Sequence, residues 1–235
     1  MNKPILCFDL DDTLIDDNYK FELTFCDCIR TIILALETRS PQIDEILQTA
    51  RELDNHKWET WPKTEKYFPK RIAESWTETY EKLAVQQNIP VKPHIKRLIW
   101  AQVMTNYDPP YFVIPDVVET LVTLQERGYR MEIITAGLQP IQMRKLKVSH
   151  LIKYFADVHV SYDKSMELKQ LSDKHGTENL VMIGNSLRSD INPALELGIR
   201  SIYIPRGSWH QFKSEPFNTN YEQLNSLSEL KQIFT

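Results

Sequence analysis

The chain has 235 residues, 42% of them hydrophobic, with 28 Lys and Arg against 32 Asp and Glu for a formal net charge of −4. That is enough apolar content for a real core, as one large domain or a domain with an insertion. The mixed, slightly acidic charge excludes the footprint of a nucleic-acid binder, so any anionic substrate must be drawn by a local site. No stretch is long and apolar enough to span a bilayer. Lys3 is followed by no apolar leader segment. Three cysteines, Cys7, Cys26 and Cys28, form an odd set that speaks against a disulfide framework. The expectation is a soluble, cytoplasmic protein with Cys7 as a small buried hydrophobe. Cys26 and Cys28 flank Asp27 and should point to different faces of a helix, which argues against a metal pair.

The first predicted element is a short apolar strand over residues 4–8, ending in Asp9-Leu10-Asp11-Asp12-Thr13. Helical spacing follows at Phe21, Phe25, Cys28, Ile29, Ile32, Ile33 and Leu36. A second helix starts near Ser40-Pro41 and carries Ile43, Ile46 and Leu47. Residues 58–68, rich in aromatics and prolines, read as a connector. A third helix covers residues 71–87 with Ile72, Trp76, Tyr80 and Leu83 on one face, and Ile95, Leu98, Ile99 and Val103 mark a fourth. No strand is expected between Tyr19 and Pro110, which makes this stretch a helical insertion.

From Tyr111 onward strands and helices alternate. A helix opens at Pro115 and stops at Gly128. A strand covers residues 131–135, a helix 143–148, a short strand 158–160, a helix 165–175 and a strand 180–183. A further helix at 193–197 is closed by Gly198, and a strand follows at 202–204. The tail after Gly207 reads as polar loop with a short helix near Leu227. This alternation predicts an α/β fold, a Rossmann-like parallel sheet with helices on both faces. The first strand should join that sheet, with the all-helical insertion standing above its carboxyl edge. The domains expected are a core of residues 1–17 and 111–235 and a helical cap of residues 18–110.

Chemistry-bearing residues recur where strands end. Asp9 and Asp11, at i and i+2 past the first strand, sit at the carboxyl edge, where open α/β sheets place ligands. Concentrated negative charge there invites a divalent cation with hard oxygen ligands. Thr135-Ala136-Gly137 follows the second strand, where a hydroxyl and backbone N–H groups near a helix N-terminus suit a phosphate oxygen. Lys164 opens a helix, a poor place for a cation unless it binds something anionic. The run Gly184-Asn185-Ser186-Leu187-Arg188-Ser189-Asp190 adds a carboxylate at Asp190 and an amide oxygen at Asn185. Each element alone is a common local device: an acidic loop, a helix cap, a solvated lysine. Their order and placement reinforce one another.

Together these residues resemble the four motifs of the haloacid dehalogenase (HAD) superfamily, and the insertion resembles that family's C1-type cap. The resemblance implies a magnesium-dependent phosphatase acting on a small phosphorylated metabolite. It implies that Asp9 attacks phosphorus and forms an aspartyl-phosphate. Asp11 then protonates the leaving oxygen and takes a proton from water, while its main-chain carbonyl meets the metal. Thr135, Ala136 and Lys164 would bind phosphate; Asp9, Asp11, Asn185 and Asp190 would form the Mg2+ set, with the choice between Asn185 and Asp190 as direct ligand left open. Thr13 would steady the loop. Two departures stand out: Asn185 replaces a residue that is acidic in many relatives, and Ala136 replaces Asn.

Other classes compete. A dehalogenase of this fold would lack the second aspartate, which is present as Asp11. A phosphomutase would keep all four motifs. A non-catalytic binding or regulatory protein on this scaffold would be expected to lose Asp9, Asp11 or Lys164. A receiver-type signalling domain is shorter and lacks the insertion. In the cap, Trp58, Trp61, Tyr67, Phe68, Lys70 and Arg71 are candidates for substrate choice, against the plainer expectation that the aromatics pack the cap's own core. Arg188 could touch substrate or face solvent. The six histidines show no zinc spacing.

Overall fold

The computed structural model describes residues 3–207 and 215–235. It divides into two compact units, residues 1–18 with 110–235, and residues 19–109. The first unit is built on a six-stranded sheet ordered β3-β2-β1-β4-β5-β6, with every neighbouring pair parallel. The strands are β1 (Ile5–Phe8), β2 (Met131–Ala136), β3 (Asp157–Ser161), β4 (Leu180–Gly184), β5 (Arg200–Tyr203) and β6 (Tyr221–Gln223). Strand β1 lies centrally between β2 and β4, where the chain order reverses direction across the sheet. In a doubly wound sheet that reversal opens a crevice at the carboxyl ends of the strands.

The alternation of β1 explains why all four of its residues are buried. Leu6 and Phe8 face one side of the sheet. There they share a core with Val117, Leu121 and Leu124 of α5 (Val117–Glu126), Leu146 of α6 (Gln139–Val148) and Leu230 of α9 (Leu230–Ile233). Ile5 and Cys7 face the other side, with Leu168 and Leu171 of α7 (Lys164–His175) and Ala194 of α8 (Asn192–Glu196). A strand buried on both faces reads as a continuous apolar run, as Ile5-Leu6-Cys7-Phe8 does. Burial pushes the Cys7 thiol up to about 12, which leaves it chemically inert.

The second unit is all helical: α1 (Asp17–Leu36) from Tyr19 onward, α2 (Ile43–Thr60), α3 (Pro69–Gln86) and α4 (Pro93–Met104). Ile32, Ile46, Trp76, Tyr80, Leu83 and Ile99 pack one core. Helices α3 and α4 each begin with proline in the first turn, where the missing N–H has no intrahelical partner to lose. Cys28 is buried and Cys26 exposed, so the two do point to different faces.

Several boundaries differ from the sequence expectation. Helix α2 runs through Thr60, so Trp58 is helical and not part of a connector. Helix α5 begins at Val117 because Asp116 takes a left-handed φ of 66°. Helix α6 begins at Gln139, ahead of the first apolar marker. The tail contributes β6, a short edge strand of Tyr-Glu-Gln with no hydrophobic alternation to announce it; residues 208–214 of that expected loop lie outside the described residues.

Glu132, on β2, is a buried carboxylate held by His159 Nε2 at 2.9 Å and Arg130 Nε at 2.6 Å. Burial pushes its pKa up, but the hydrogen bonds from His159 and Arg130 outweigh this and bring it down from 4.5 to about 2. The bond to Glu132 raises His159 above its ordinary 6.5. The two signs differ. The lowered Glu132 adds stability that is present above its unfolded value and lost as pH falls from about 4.5 toward 2. The raised His159 adds stability that is full below 6.5 and lost as pH rises through its folded value. The pair should therefore contribute most between about pH 4.5 and 6.5. Urea denaturation of Glu132→Gln should show a loss of about 1–3 kcal/mol in that window. The deficit should shrink on both the acid and the alkaline side.

Candidate active site

The loop leaving β1 is turned so that its acidic residues diverge. Leu10, Leu14 and Ile15 are buried anchors in the core. Residues 14–16 are tied to 112–114 by Asp16 N–H donating to the Phe112 carbonyl (2.8 Å) and Ile114 N–H donating to that of Leu14 (3.0 Å). Asp12, at φ 60°, turns its carboxylate back to accept from the N–H groups of Asp17 (3.0 Å) and Asn18 (2.8 Å), capping the start of α1. Asp9 and Asp11 are left on the carboxyl side of the sheet.

Asp9 is buried beside Lys164, the first residue of α7, whose Nζ donates to Asp9 Oδ1 at 2.5 Å and to Asp190 Oδ1 at 2.6 Å. The lysine that sits awkwardly at a helix start thus has two carboxylate partners. Asp163 caps the helix, accepting from Ser165 N–H at 3.1 Å. Burial works against the Lys164 charge, but Asp190 and Asp9 together raise its pKa. Burial pushes Asp9 up to about 7 against the pull of Lys164, and Asp190 adds to the rise. Thr13 Oγ1 lies 3.1 Å from Asp9 Oδ2 and 3.4 Å from Asn185 Oδ1, so oxygens from the ends of β1 and β4 converge on one hydroxyl.

Asp190 sits in a π-helical turn over Leu187–Ile191, with its second oxygen accepting from Ser186 N–H at 2.9 Å. Both of its oxygens are thereby engaged. Asn185 donates Nδ2 to the Arg206 carbonyl at 3.0 Å, which turns Oδ1 toward Thr13 and Asp9. A carboxylate in the same pose would face that carbonyl with no proton between them, a physical reason for an amide here. Arg188 is exposed on the turn.

Thr135 is buried at the end of β2 and its Oγ1 accepts from Gln142 Nε2 at 2.7 Å, which leaves the hydroxyl proton for another acceptor. The expected backbone N–H cradle after β2 is smaller than the sequence suggests, because Gly137 N–H donates to the Ser161 carbonyl at 3.1 Å. Ala136 carries its carbonyl toward Gln142 Nε2 at 3.2 Å.

Asp11 has partners that no motif announced. Its Oδ1 accepts from Lys145 Nζ at 2.8 Å and its Oδ2 from Gln142 Nε2 at 2.8 Å, both side chains rising from α6. Lys145 also pairs with Asp17 Oδ1 at 3.0 Å. Gln142 and Lys145 are 2% and 3% exposed. The available signal was their i, i+3 spacing, one helical face, on a helix with little apolar pattern elsewhere.

Among the described residues, no three His, Cys, Asp or Glu side chains form a ready metal cage. The donor set that does converge is Asp9 with Asn185, hard oxygen ligands from neighbouring strands. That suits a cation such as magnesium, which keeps several waters and asks for one or two carboxylates. The surplus of buried negative charge points the same way, since Asp9 and Asp190 face a single ammonium.

In the helical unit, Arg71, one of the candidates for substrate choice, is engaged with residues of that unit. It is buried and ion-paired to Asp54, its Nε donates to the Lys66 carbonyl at 2.7 Å, and its guanidinium lies 5.0 Å from the Trp58 ring. Trp58 packs edge-on with Tyr67 at 5.4 Å. Lys70 stays half-exposed, paired with Glu65 at 2.9 Å and 5.0 Å from the Trp61 ring, with Phe68 at 5.7 Å.

A parallel sheet with this strand order, a paired carboxylate and lysine at the central strand's end and a further acidic turn after β4 are the features of a HAD-type hydrolase. The chain belongs to the haloacid dehalogenase-like hydrolases, whose family model matches residues 4–198. It is 27% identical over 232 residues to the glyceraldehyde 3-phosphate phosphatase of Methanopyrus kandleri, covering 93% of this chain and 89% of that protein. It is 30% identical over 127 residues to the protein of the same name from Methanocaldococcus jannaschii, a match spanning about half of each chain (51% and 55%). A solved structure of a haloacid dehalogenase-like family hydrolase from Xanthomonas campestris superposes with a TM-score of 0.74 at 21% identity, over 98% of this chain and 94% of that one.

Gly184 ends β4 directly under Asp190: a Cβ there would lie 2.4 Å from Oδ2 and 2.5 Å from Cγ. Asp190 is fully buried and held at both oxygens, so it has nowhere to retreat. Gly184→Ala should cost about 1–3 kcal/mol by overpacking. Thermal denaturation should register that loss, and a crystal structure of the variant should show the Lys164–Asp190 contact lengthened.

Proposed function

We propose that this hydrolase is a magnesium-dependent phosphatase that cleaves a small-molecule phosphate monoester through an aspartyl-phosphate on Asp9. The observation that carries the reading is the buried ammonium of Lys164 held between Asp9 and Asp190, with Thr135 at the end of the adjacent strand β2. The two relatives named for glyceraldehyde 3-phosphate hydrolysis support a small phosphorylated substrate.

A phosphate dianion repels a carboxylate nucleophile, so positive charge must be fixed around it. Lys164 supplies one such charge at the nucleophile itself, and Thr135 and the Ala136 backbone would hold further phosphate oxygens. Magnesium would be held by Asp9, the main-chain carbonyl of Asp11 and a side-chain oxygen of Asn185 or Asp190; when bound it would screen the repulsion between nucleophile and phosphate. Asp9 attacks phosphorus. Asp11 gives its proton to the departing oxygen and recovers one from the water that hydrolyses the phosphoenzyme. Thr13 steadies Asp9. Substrate selection is assigned to the helical insertion, residues 18–110, where Lys70 remains a candidate and Arg71 serves the insertion's own packing. A phosphomutase on the same scaffold is the second reading, favoured by the same four strand-end positions and separated by the acceptor of the phosphoryl group.

Hydrolysis of an aryl phosphate should vanish in excess chelator and return with magnesium. Asp9→Asn should be folded and inactive, since the amide is nearly isosteric and far less nucleophilic. Full turnover in chelator would remove the metal from the account, and turnover by Asp9→Asn free of deamidation would mean another nucleophile.

A further inference from the structure

Helix α6 brings two buried polar side chains to Asp11, one to each carboxylate oxygen: Lys145 Nζ to Oδ1 and Gln142 Nε2 to Oδ2, both at 2.8 Å. One donor at each oxygen fixes the plane of the carboxyl group and leaves a second position on each oxygen open, where the transferred proton can sit. The clamp is itself anchored. Lys145 is held by Asp17 at 3.0 Å, and Gln142 reaches Thr135 Oγ1 at 2.7 Å and the Ala136 carbonyl at 3.2 Å. The Gln142 amide has only one workable orientation, because its oxygen turned inward would face the Asp11 carboxylate and the Ala136 carbonyl. Gly137 makes room for it: a Cβ there would lie 3.2 Å from Gln142 Cδ and Cγ.

A buried ammonium is an expensive way to tie a helix to a loop, because the desolvation penalty is several kcal/mol per ion. An apolar contact would do that work at lower cost. What an ammonium and an amide offer beyond packing is directional control of a carboxylate.

We propose that Lys145 and Gln142 are positioning residues for Asp11, setting the carboxyl group that serves proton transfer while leaving attack by Asp9 untouched. The proposal rests on the phosphatase reading above. In the first step an Asp9 oxygen bonds to phosphorus, the bond from phosphorus to the bridging oxygen breaks, and that oxygen takes the Asp11 proton. In the second step water attacks phosphorus, its proton passes to Asp11, and the bond from phosphorus to Asp9 breaks to release phosphate. Misplacing Asp11 penalises any leaving group that needs a proton and spares one that departs as a stable anion. A residue that merely held the site together would affect both alike.

The test compares kcat/KM for phenyl phosphate and dinitrophenyl phosphate in the full-length enzyme with magnesium. This parameter reports events up to release of the leaving group, so it isolates the first step. Lys145→Met and Gln142→Leu should each lose about 100-fold on phenyl phosphate, the scale of general acid catalysis. On dinitrophenyl phosphate, whose phenolate needs no proton, Lys145→Met should lose less than about 3-fold, and Gln142→Leu, which also releases Thr135, should still lose at least about 10-fold less than it does on phenyl phosphate. Lys145→Arg should recover much of the phenyl phosphate activity. Equal losses on both substrates, or no loss on phenyl phosphate, would overturn the proposal. If Lys145→Met fails to fold with Asp11 and Asp17 left unpaired, Gln142→Leu carries the same comparison alone. A wild-type enzyme that hydrolyses neither substrate would overturn the phosphatase reading itself, an outcome visible before any variant is compared.

Discussion

The ammonium of Lys164, buried between Asp9 and Asp190, is the contact around which the rest of the core is arranged. Three charged groups out of water are tolerable only when their geometry is close and every remaining lone pair has a partner. The fold meets that condition by placing β1 next to β4, so that Asp9 and the turn carrying Asp190 emerge side by side, and by starting α7 at Lys164. Gly184 admits Asp190, Ser186 N–H holds its second oxygen and Thr13 holds that of Asp9. Loss of any one of these leaves a buried charge short of a partner.

A second buried ammonium repeats the pattern one step along the loop. Lys145 faces Asp11 and Asp17 much as Lys164 faces Asp9 and Asp190, and the two lysines come from helices on opposite faces of the sheet. Neighbouring aspartates in the β1 loop are thereby sent to separate cations. Asp12 takes a third route, satisfied by backbone N–H groups, with burial pushing it up to about 7 against the hydrogen bond from Asn18. Identical side chains at adjacent positions acquire different chemistry through their partners. Four carboxylates against two ammonium groups leave a negative surplus that suits a divalent cation.

What the sequence made legible is what period and strand ends encode. The apolar run of β1 with Asp9 at its end could be read directly, as could the parallel sheet and the helical character of the stretch after Tyr19, because patterns of period 2 and 3.6 are local. Lys164 was legible through its conflict with a helix N-terminus. Gln142 and Lys145 were not, since a polar pair on a weakly amphipathic helix looks like a solvated face until its partners arrive from 130 residues away. The burial of Arg71 was not legible either, because its partner Asp54 lies on another helix. Strand β6 carries no alternation because one short edge strand of three residues needs none.

The central claim is that Asp9 becomes phosphorylated. Acid-quenching the enzyme during a single turnover, reducing it with borohydride and mapping the product by peptide mass spectrometry reads that event directly. An aspartyl-phosphate at position 9 would appear as homoserine in place of Asp9, and only when substrate is present. Homoserine at another aspartate, or an unmodified position 9 in an enzyme that has released its leaving group, would contradict the account.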